Sequence, residues 1–142
     1  MKALAIASSL ALAAAAVSAD RSGASVVALR AAVDLAGAWA NDGFKLRDGH
    51  CTGTLQPGKP HVVQVNLIEG NRYWFTASTA PNAGLVSVSI FDESGQPISA
   101  ETYQDGARAA AGFAPAVSGP YLVKLEQTGS HPSTFCLVYS YK

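Results

Sequence analysis

The sequence predicts a mainly β protein: an antiparallel, jelly-roll-like β-sandwich of about eight strands, preceded by one N-terminal α-helix. From Cys51 onwards, apolar side chains alternate with polar ones, which is the pattern of half-buried strands. Glycine, proline and asparagine separate these runs, as expected for tight turns. Before Cys51 the apolar residues instead follow a helical period. The length of 142 residues fits a single domain.

The first 19 residues have the pattern of a secretory signal peptide. Lys2 supplies a positive charge, residues 3–17 form an apolar run, and Val17-Ser18-Ala19 is a small-residue cleavage site. A retained anchor helix is the alternative, but the flank after Ala19 is small and polar rather than basic. We therefore expect an exported protein, periplasmic or extracellular, with no membrane span in the mature chain.

A helix is expected in the segment VVALRAAVDLAGAWAND, after a flexible start at residues 20–25. Ser25 can cap the beginning of this helix and Gly43 can close its end. Five apolar side chains fall at helical spacing and predict one apolar face: Val26, Leu29, Val33, Ala36 and Ala40. The expected division is a signal peptide at 1–19, a linker and helix at 20–48, and the sandwich at 49–142.

Five later runs each place apolar side chains on one face of a strand. The inward sets are Val63, Val65 and Leu67; Tyr73, Phe75 and Ala77; Val86, Val88 and Ile90; Tyr121, Val123 and Leu125; and Phe135, Leu137, Tyr139 and Tyr141. Such alternation is typical of antiparallel sheets with one face on a core.

The order of these strands and turns resembles the bacterial pre-peptidase C-terminal domain over roughly residues 54–141. The resemblance is carried by core and turn positions, namely Leu67, Gly70, Tyr73, Phe75, Ile90, Asp92, Gly95, Phe113, Pro115, Ser118, Gly119 and Tyr121. It implies a jelly-roll-like β-sandwich of exported proteins, usually attached to peptidases or other secreted enzymes. It does not cover the helix.

Two cysteines, Cys51 and Cys136, are present, and an even count in an exported protein predicts one disulfide. The alternatives are two free thiols or a metal-binding pair. Two cysteines cannot complete a structural zinc site, and no histidine stands at ligand spacing from either one.

Charge and motifs argue against several classes of function. Ten basic and ten acidic residues leave a net charge of zero, which gives no basic footprint for nucleic acid. No nucleophile elbow, metalloprotease helix or phosphate-binding loop is present. We therefore expect a protein that is not an enzyme, although a hydrolase whose triad assembles only in space is a rival.

The candidate ligand-binding residues are Trp74, Arg72 and Tyr103, together with the 81–84 loop. An exposed tryptophan on a sheet face can stack on a sugar or anchor a protein partner. The alternative, which we favour, is that Trp74 lies beneath the N-terminal helix with Trp39 as its contact.

The hairpin tip Asp92-Glu93-Ser94-Gly95 offers a second candidate. Asp92, Glu93 and Asp105 could share a Ca²⁺ ion, but the ligands are fewer than a calcium loop needs. A turn in which Asp92 bonds the backbone and Gly95 takes positive φ is favoured. No cofactor is expected.

The function expected is that of an exported, non-catalytic binding module for a polysaccharide, a cell-surface component or a protein. The alternatives are a structural or assembly protein, and an accessory partner or inhibitor of a secreted peptidase.

Overall fold

Three layers make up the fold in the computed structural model, which describes residues 10–80 and 84–142, with side chains from residue 23 onwards. The elements are α1 Leu10–Ala40, β1 Lys45–Leu46, β2 Cys51–Leu55, β3 His61–Leu67, β4 Tyr73–Ala80, β5 Val86–Asp92, β6 Glu101–Asp105, β7 Arg108–Phe113, β8 Gly119–Gln127 and β9 Ser133–Tyr141. The predicted antiparallel sandwich with one N-terminal helix is confirmed, with nine described strands in place of about eight.

Two antiparallel sheets face each other. The larger sheet has the order β1-β9-β4-β7-β6, and β2 pairs with β9 on the same side as β1. The smaller sheet has the order β3-β8-β5. Helix α1 lies on the outer face of the larger sheet, against β9 and β4.

The main core fills the space between the two sheets. Large side chains from both sheets are fully buried there, including Phe75, Phe135, Leu67, Ile90 and Leu125. The inward sets predicted from alternation all contribute to this core except Tyr141, which is 37% exposed at the end of β9. Alternation was informative because each strand has only one face on this core.

A second, smaller cluster joins the helix to the outer face of the larger sheet. It consists of small side chains, namely Ala28, Ala32 and Ala36 from α1 against Ala80, Cys136 and Val138. The predicted apolar face of the helix is therefore wrong in part, since Val26 and Val33 are exposed. Alanine faces the sheet because a short side chain lets the helix backbone approach the strands closely.

The helix is also longer than predicted. It is continuous from Leu10 to Ala40, so residues 20–25 are helical rather than flexible. Its end is as expected: Gly43 has φ 90° and donates to Ala40 O, while Phe44 N donates to Trp39 O. This pair of bonds is the Schellman arrangement, in which glycine takes the left-handed position.

The signal-peptide prediction falls largely outside the described part of the chain, which omits residues 1–9 and gives no side chains for 10–22. Within the described part, the segment Gly23–Ala40 is long and apolar enough to cross a membrane by length and composition. Core helices and signal sequences pass the same test, and this segment packs on the sheet through its alanines. The proposed domain boundaries stay a prediction.

The predicted disulfide is not supported, because Cys51 and Cys136 are free thiols. Cys51 stands opposite Leu137 in the β2–β9 register, one position away from Cys136. Neighbouring positions on a strand point to opposite faces. The Cys51 side chain therefore packs on the core between the sheets, whereas that of Cys136 lies under the helix.

Candidate binding site on the outer face of the larger sheet

A cavity of about 390 Å³ opens on the outer face of the larger sheet, beyond the end of the helix. Two of the three predicted ligand-binding residues, Arg72 and Trp74, line it. Glu101, Phe44 and Phe113 contribute further walls. The cavity thus combines two charges of opposite sign with aromatic surface.

Strand register explains why these residues meet. Trp74 on β4 stands opposite Gly112 on β7, and Gly112 stands opposite Glu101 on β6, so the three form one row across the sheet. Arg72 is two positions before Trp74 and shares its face, because side chains alternate along a strand. Its backbone is fixed by reciprocal hydrogen bonds with Lys142, at 2.8 and 3.0 Å.

Trp74 is enclosed between the helix and the sheet. The ring of Trp39 stacks on it with centroids 4.0 Å apart and an interplanar angle of 5°. On its other side, a Cβ placed on Gly112 would come within 2.7 Å of the indole, so only glycine leaves room for the ring. The expected Trp39 contact is confirmed, and with both faces covered Trp74 offers a ligand only its edge.

Trp39 is itself held in place from the sheet. Its Nε1 donates to Thr76 Oγ1 at 3.3 Å, and Thr76 is fully buried. The stacked pair therefore joins the last turn of the helix to β4, and its Trp74 ring lines the cavity.

The two charged residues of the cavity are exposed, and neither forms an ion pair among the described residues. Arg72 presents guanidinium donors and Glu101 presents carboxylate acceptors, so the cavity can pair with both signs of charge. A ligand that pairs with either one does not have to displace an internal salt bridge.

Tyr103, the third predicted ligand-binding residue, lies beside the cavity and does not line it. It is 39% exposed on β6, opposite Ala110 of β7. It shares the outer face with Glu101 two positions earlier. Residues 81–83 of the 81–84 loop lie outside the described residues.

The hairpin tip at Asp92 forms the turn that the sequence favours. One carboxylate oxygen of Asp92 accepts hydrogen bonds from Ser94 N, Ser94 Oγ and Gln96 N at 3.0, 2.6 and 2.9 Å. The Ser94 hydroxyl, followed by the Gln96 amide, lowers the pKa of Asp92. Gly95 has φ 89°.

The alternative calcium ligands are not brought together. Asp105 instead accepts a hydrogen bond from the Arg108 guanidinium at 2.8 Å, in an exposed ion pair. In the described part of the chain, no three His, Cys, Asp or Glu side chains cluster in a way that could hold a metal ion.

Other residues of the predicted family pattern support loops. Tyr121 Oη donates to Val117 O at 2.6 Å, and Ser118 Oγ accepts from Glu69 N at 2.8 Å. Tyr73 Oη accepts from Ile68 N at 2.9 Å. These residues fix loop ends, which is why they mark the fold rather than a ligand site.

Sequence reasoning missed Phe44 and Phe113 as cavity walls. Phe44 reaches the cavity because the chain turns at Gly43, directly after the helix. Phe113 comes from the end of β7, next to Gly112. The only signal in the sequence was an aromatic residue placed just after a helix-ending glycine.

The fold and cavity together define an antiparallel β-sandwich that is covered by a helix and has an open cavity on the outer face of its larger sheet. The chain is similar in structure to the pre-peptidase C-terminal domain of a collagenase from Bacillus anthracis, with 18% identity, a TM-score of 0.52, and coverage of 64% of this chain and 87% of that one. This likeness supports the predicted resemblance at the level of fold.

Two further similar structures have lower TM-scores. One is PliG of Aeromonas hydrophila, a periplasmic inhibitor of g-type lysozyme, at 15% identity, TM-score 0.47 and coverage of 66% of this chain and 85% of that one. The other is the Yersinia pseudotuberculosis-derived mitogen, at 18% identity, TM-score 0.45 and coverage of 65% and 83%. No protein-family model matches the sequence. No curated protein matches it either.

Proposed function

We propose that this protein is an exported, non-catalytic binding module whose ligand site is the outer-face cavity. Export is supported by the signal-peptide pattern of residues 1–19. The observation that carries the binding proposal is that Arg72 and Glu101 line the same cavity, and that both are exposed and without ion-pair partners in the described chain.

The cavity favours a protein surface over a stacked sugar ring. Sugar-binding tryptophans use a ring face, and both faces of Trp74 are occupied. A partner protein can offer a carboxylate to Arg72 and a cationic group to Glu101, while apolar side chains contact Phe44. Tyr103 extends the same face and would lie at the rim of such an interface.

The test is binding to secreted and cell-surface proteins of the source organism, with a glycan array measured in parallel. Arg72→Glu is expected to weaken the interaction at least about tenfold, because it places like charge against the partner's carboxylate. Lys59→Glu is the matched control, since it makes the same change of charge at an exposed turn position away from the cavity. Equal loss in both variants, or binding only to glycans, would contradict the proposal.

Export is tested separately by the intact mass of the protein recovered from its native host. We expect a mature chain that begins at Asp20, which keeps the helix residues that pack on the sheet, from Ala24 to Trp39. A chain that retains residues 1–19 in a membrane fraction would instead support the anchor alternative.

A further inference from the structure

Strand β3 forms one edge of the smaller sheet and has little protection against pairing with another strand. Among the described strands, β3 pairs only with β8, so one of its long edges has no neighbour. The strand HVVQVNL contains no Lys, Arg, Asp, Glu or Pro, the residues that normally protect an edge. Its Val62 is 51% exposed.

The facing edge of the larger sheet is interrupted. Leu46 stands opposite Ser140 and Cys51 opposite Leu137, so the four residues 47–50 face only two residues of β9. This is a bulge of two extra residues, and Gly49 within it has φ 91°. Edge pairing is therefore blocked at this edge of the larger sheet and open at the β3 edge of the smaller one.

A groove of about 370 Å³ lies between these two edges. One wall is made by the four consecutive β3 residues 63–66, and the other by residues 47–51. Consecutive residues of a strand point to opposite faces, so they can line one groove only if it runs along the strand's edge. The groove therefore gives access to the backbone N–H and C=O groups of β3.

Tyr139 lies between this groove and an adjoining cavity of about 250 Å³, and it lines both. Its hydroxyl is buried and has no hydrogen-bond partner among the described residues. The Arg47 guanidinium lies over its ring, 5.0 Å from the centroid. A buried hydroxyl without a partner is costly, so this wall of the groove is not packed as completely as the main core.

We propose that this groove binds an extended peptide segment of a partner protein, which adds to β3 as a further strand. The backbone of the peptide would pair with the free edge of β3, and alternate apolar side chains would contact Val63, Val65 and Leu137. The seven residues of β3 set the length of the peptide. This site is separate from the outer-face cavity, because it opens between the two sheets.

The groove suits a single strand better than a second copy of the chain. Two copies paired through β3 would bring the edges of their larger sheets side by side. The bulge at residues 47–50 breaks this edge, so the second layer of such a dimer could not pair. A lone peptide needs only β3 on one side and the bulge as a wall on the other.

The probe is a heptapeptide selected on the full mature chain from a phage-displayed random library, then synthesised and measured by fluorescence anisotropy. Two versions carry N-methyl groups on alternate backbone amides. One frame is methylated on the odd-numbered amides and the other frame on the even-numbered ones. An added strand pairs alternate amides with its neighbour. One frame is therefore expected to lose binding by at least about tenfold, while the other stays within about threefold.

A pair of variants tests the location. Val63→Lys places a charge in the groove and is expected to weaken binding of the peptide at least about tenfold. The new charge resembles the inward-pointing charges that protect natural edge strands. Val62→Lys is the matched control on the solvent face of the same strand, with an expected change within about threefold. Arg72→Glu is expected to leave peptide binding unchanged, which separates this site from the proposed function.

Three results would overturn the proposal. They are the absence of any selected heptapeptide that binds below about 1 mM, equal effects of the two N-methyl frames, and concentration-dependent dimers in which the amides of β3 become protected from exchange. If Val63→Lys fails to fold, the N-methyl frames still decide between an added strand and another mode.

Discussion

The two faces of the larger sheet are packed by opposite means. Its inner face buries large side chains such as Phe75 and Phe135 against the smaller sheet. Its outer face meets the helix mainly through small ones such as Ala32 and Ala80, together with the stacked rings of Trp39 and Trp74. Large side chains fill the space between the sheets, whereas small side chains let the helix backbone approach the strands closely. The two faces should therefore respond differently to the same kind of substitution.

Removing volume from the inner face should have the largest effect. Phe75→Ala is expected to lower the free energy of unfolding by about 3–5 kcal/mol, because it leaves a cavity at a fully buried position. Chemical denaturation monitored by circular dichroism measures the change. A loss below about 1 kcal/mol would mean that the two sheets collapse around the gap and that volume is not what holds them.

Adding volume to the outer face should be the next largest effect. Ala32 is fully buried beneath the helix, and Ala32→Leu is expected to cost about 1–3 kcal/mol by forcing the helix away from β9 and β4. Ala38→Leu is the control at an exposed helical position and should be close to neutral. Equal melting temperatures for the two variants would show that the helix is not closely packed.

Gly112→Ala tests the tryptophan contact in isolation. The added Cβ would meet the Trp74 indole at 2.7 Å, so the ring must move away from its stack with Trp39. We expect a loss of about 1–2 kcal/mol together with a change in tryptophan fluorescence.

Gly37→Ala is the matched control for that variant. Nothing lies within 4 Å of a Cβ at Gly37 on the helix, so the same chemical change should stabilise the protein by up to about 1 kcal/mol. If both glycine variants changed stability in the same direction, the close approach at Trp74 would not be the reason that residue 112 is glycine.

The contrast between the two faces also explains what could be predicted from the sequence. On β4, alternation placed Phe75 inward because a strand has only two faces and one of them is visibly apolar. On the helix, apolar residues occur at almost every position, so spacing alone pointed to Val26 and Val33 while the sheet selected Ala28 and Ala32. Which of several apolar faces docks depends on the shape of the partner surface.

In the candidate binding site, too, some placements could be predicted from the sequence and others could not. Arg72 and Trp74 could be assigned to one face from their separation of two residues. That Glu101 and Phe44 share their cavity depends on the pairing of β6 with β7 and on the path of the chain after Gly43. The missing disulfide has a similar cause, since a register shifted by one residue sends two thiols to opposite faces.

The two thiols provide the finest test, because each reports on one face of the sheet. Burial, followed by the charge of the Cys51 thiolate, raises the pKa of Cys136 to about 11. Burial also raises the pKa of the half-buried Cys51, for which no second cause acts. Iodoacetamide, which reacts with thiolates, should therefore modify Cys51 first in the native protein, and Cys136 only when the helix leaves the sheet or the chain unfolds.

The same pKa gives a dependence of stability on pH. The unfolded chain loses the Cys136 proton near pH 9.0, whereas the folded chain keeps it to about pH 11. Because the folded state binds more protons in this window, the free energy of unfolding should fall as pH rises from 9 to 11. Cys136→Ala should reduce that fall, and an unchanged pH profile in the variant would mean that the thiol is not desolvated.

Two results would contradict the placement of the thiols on opposite faces of the larger sheet. Rapid modification of Cys136 in the native protein would mean that the helix does not cover it, and a mass that shows a Cys51–Cys136 bond after mild oxidation would mean that both thiols lie on one face.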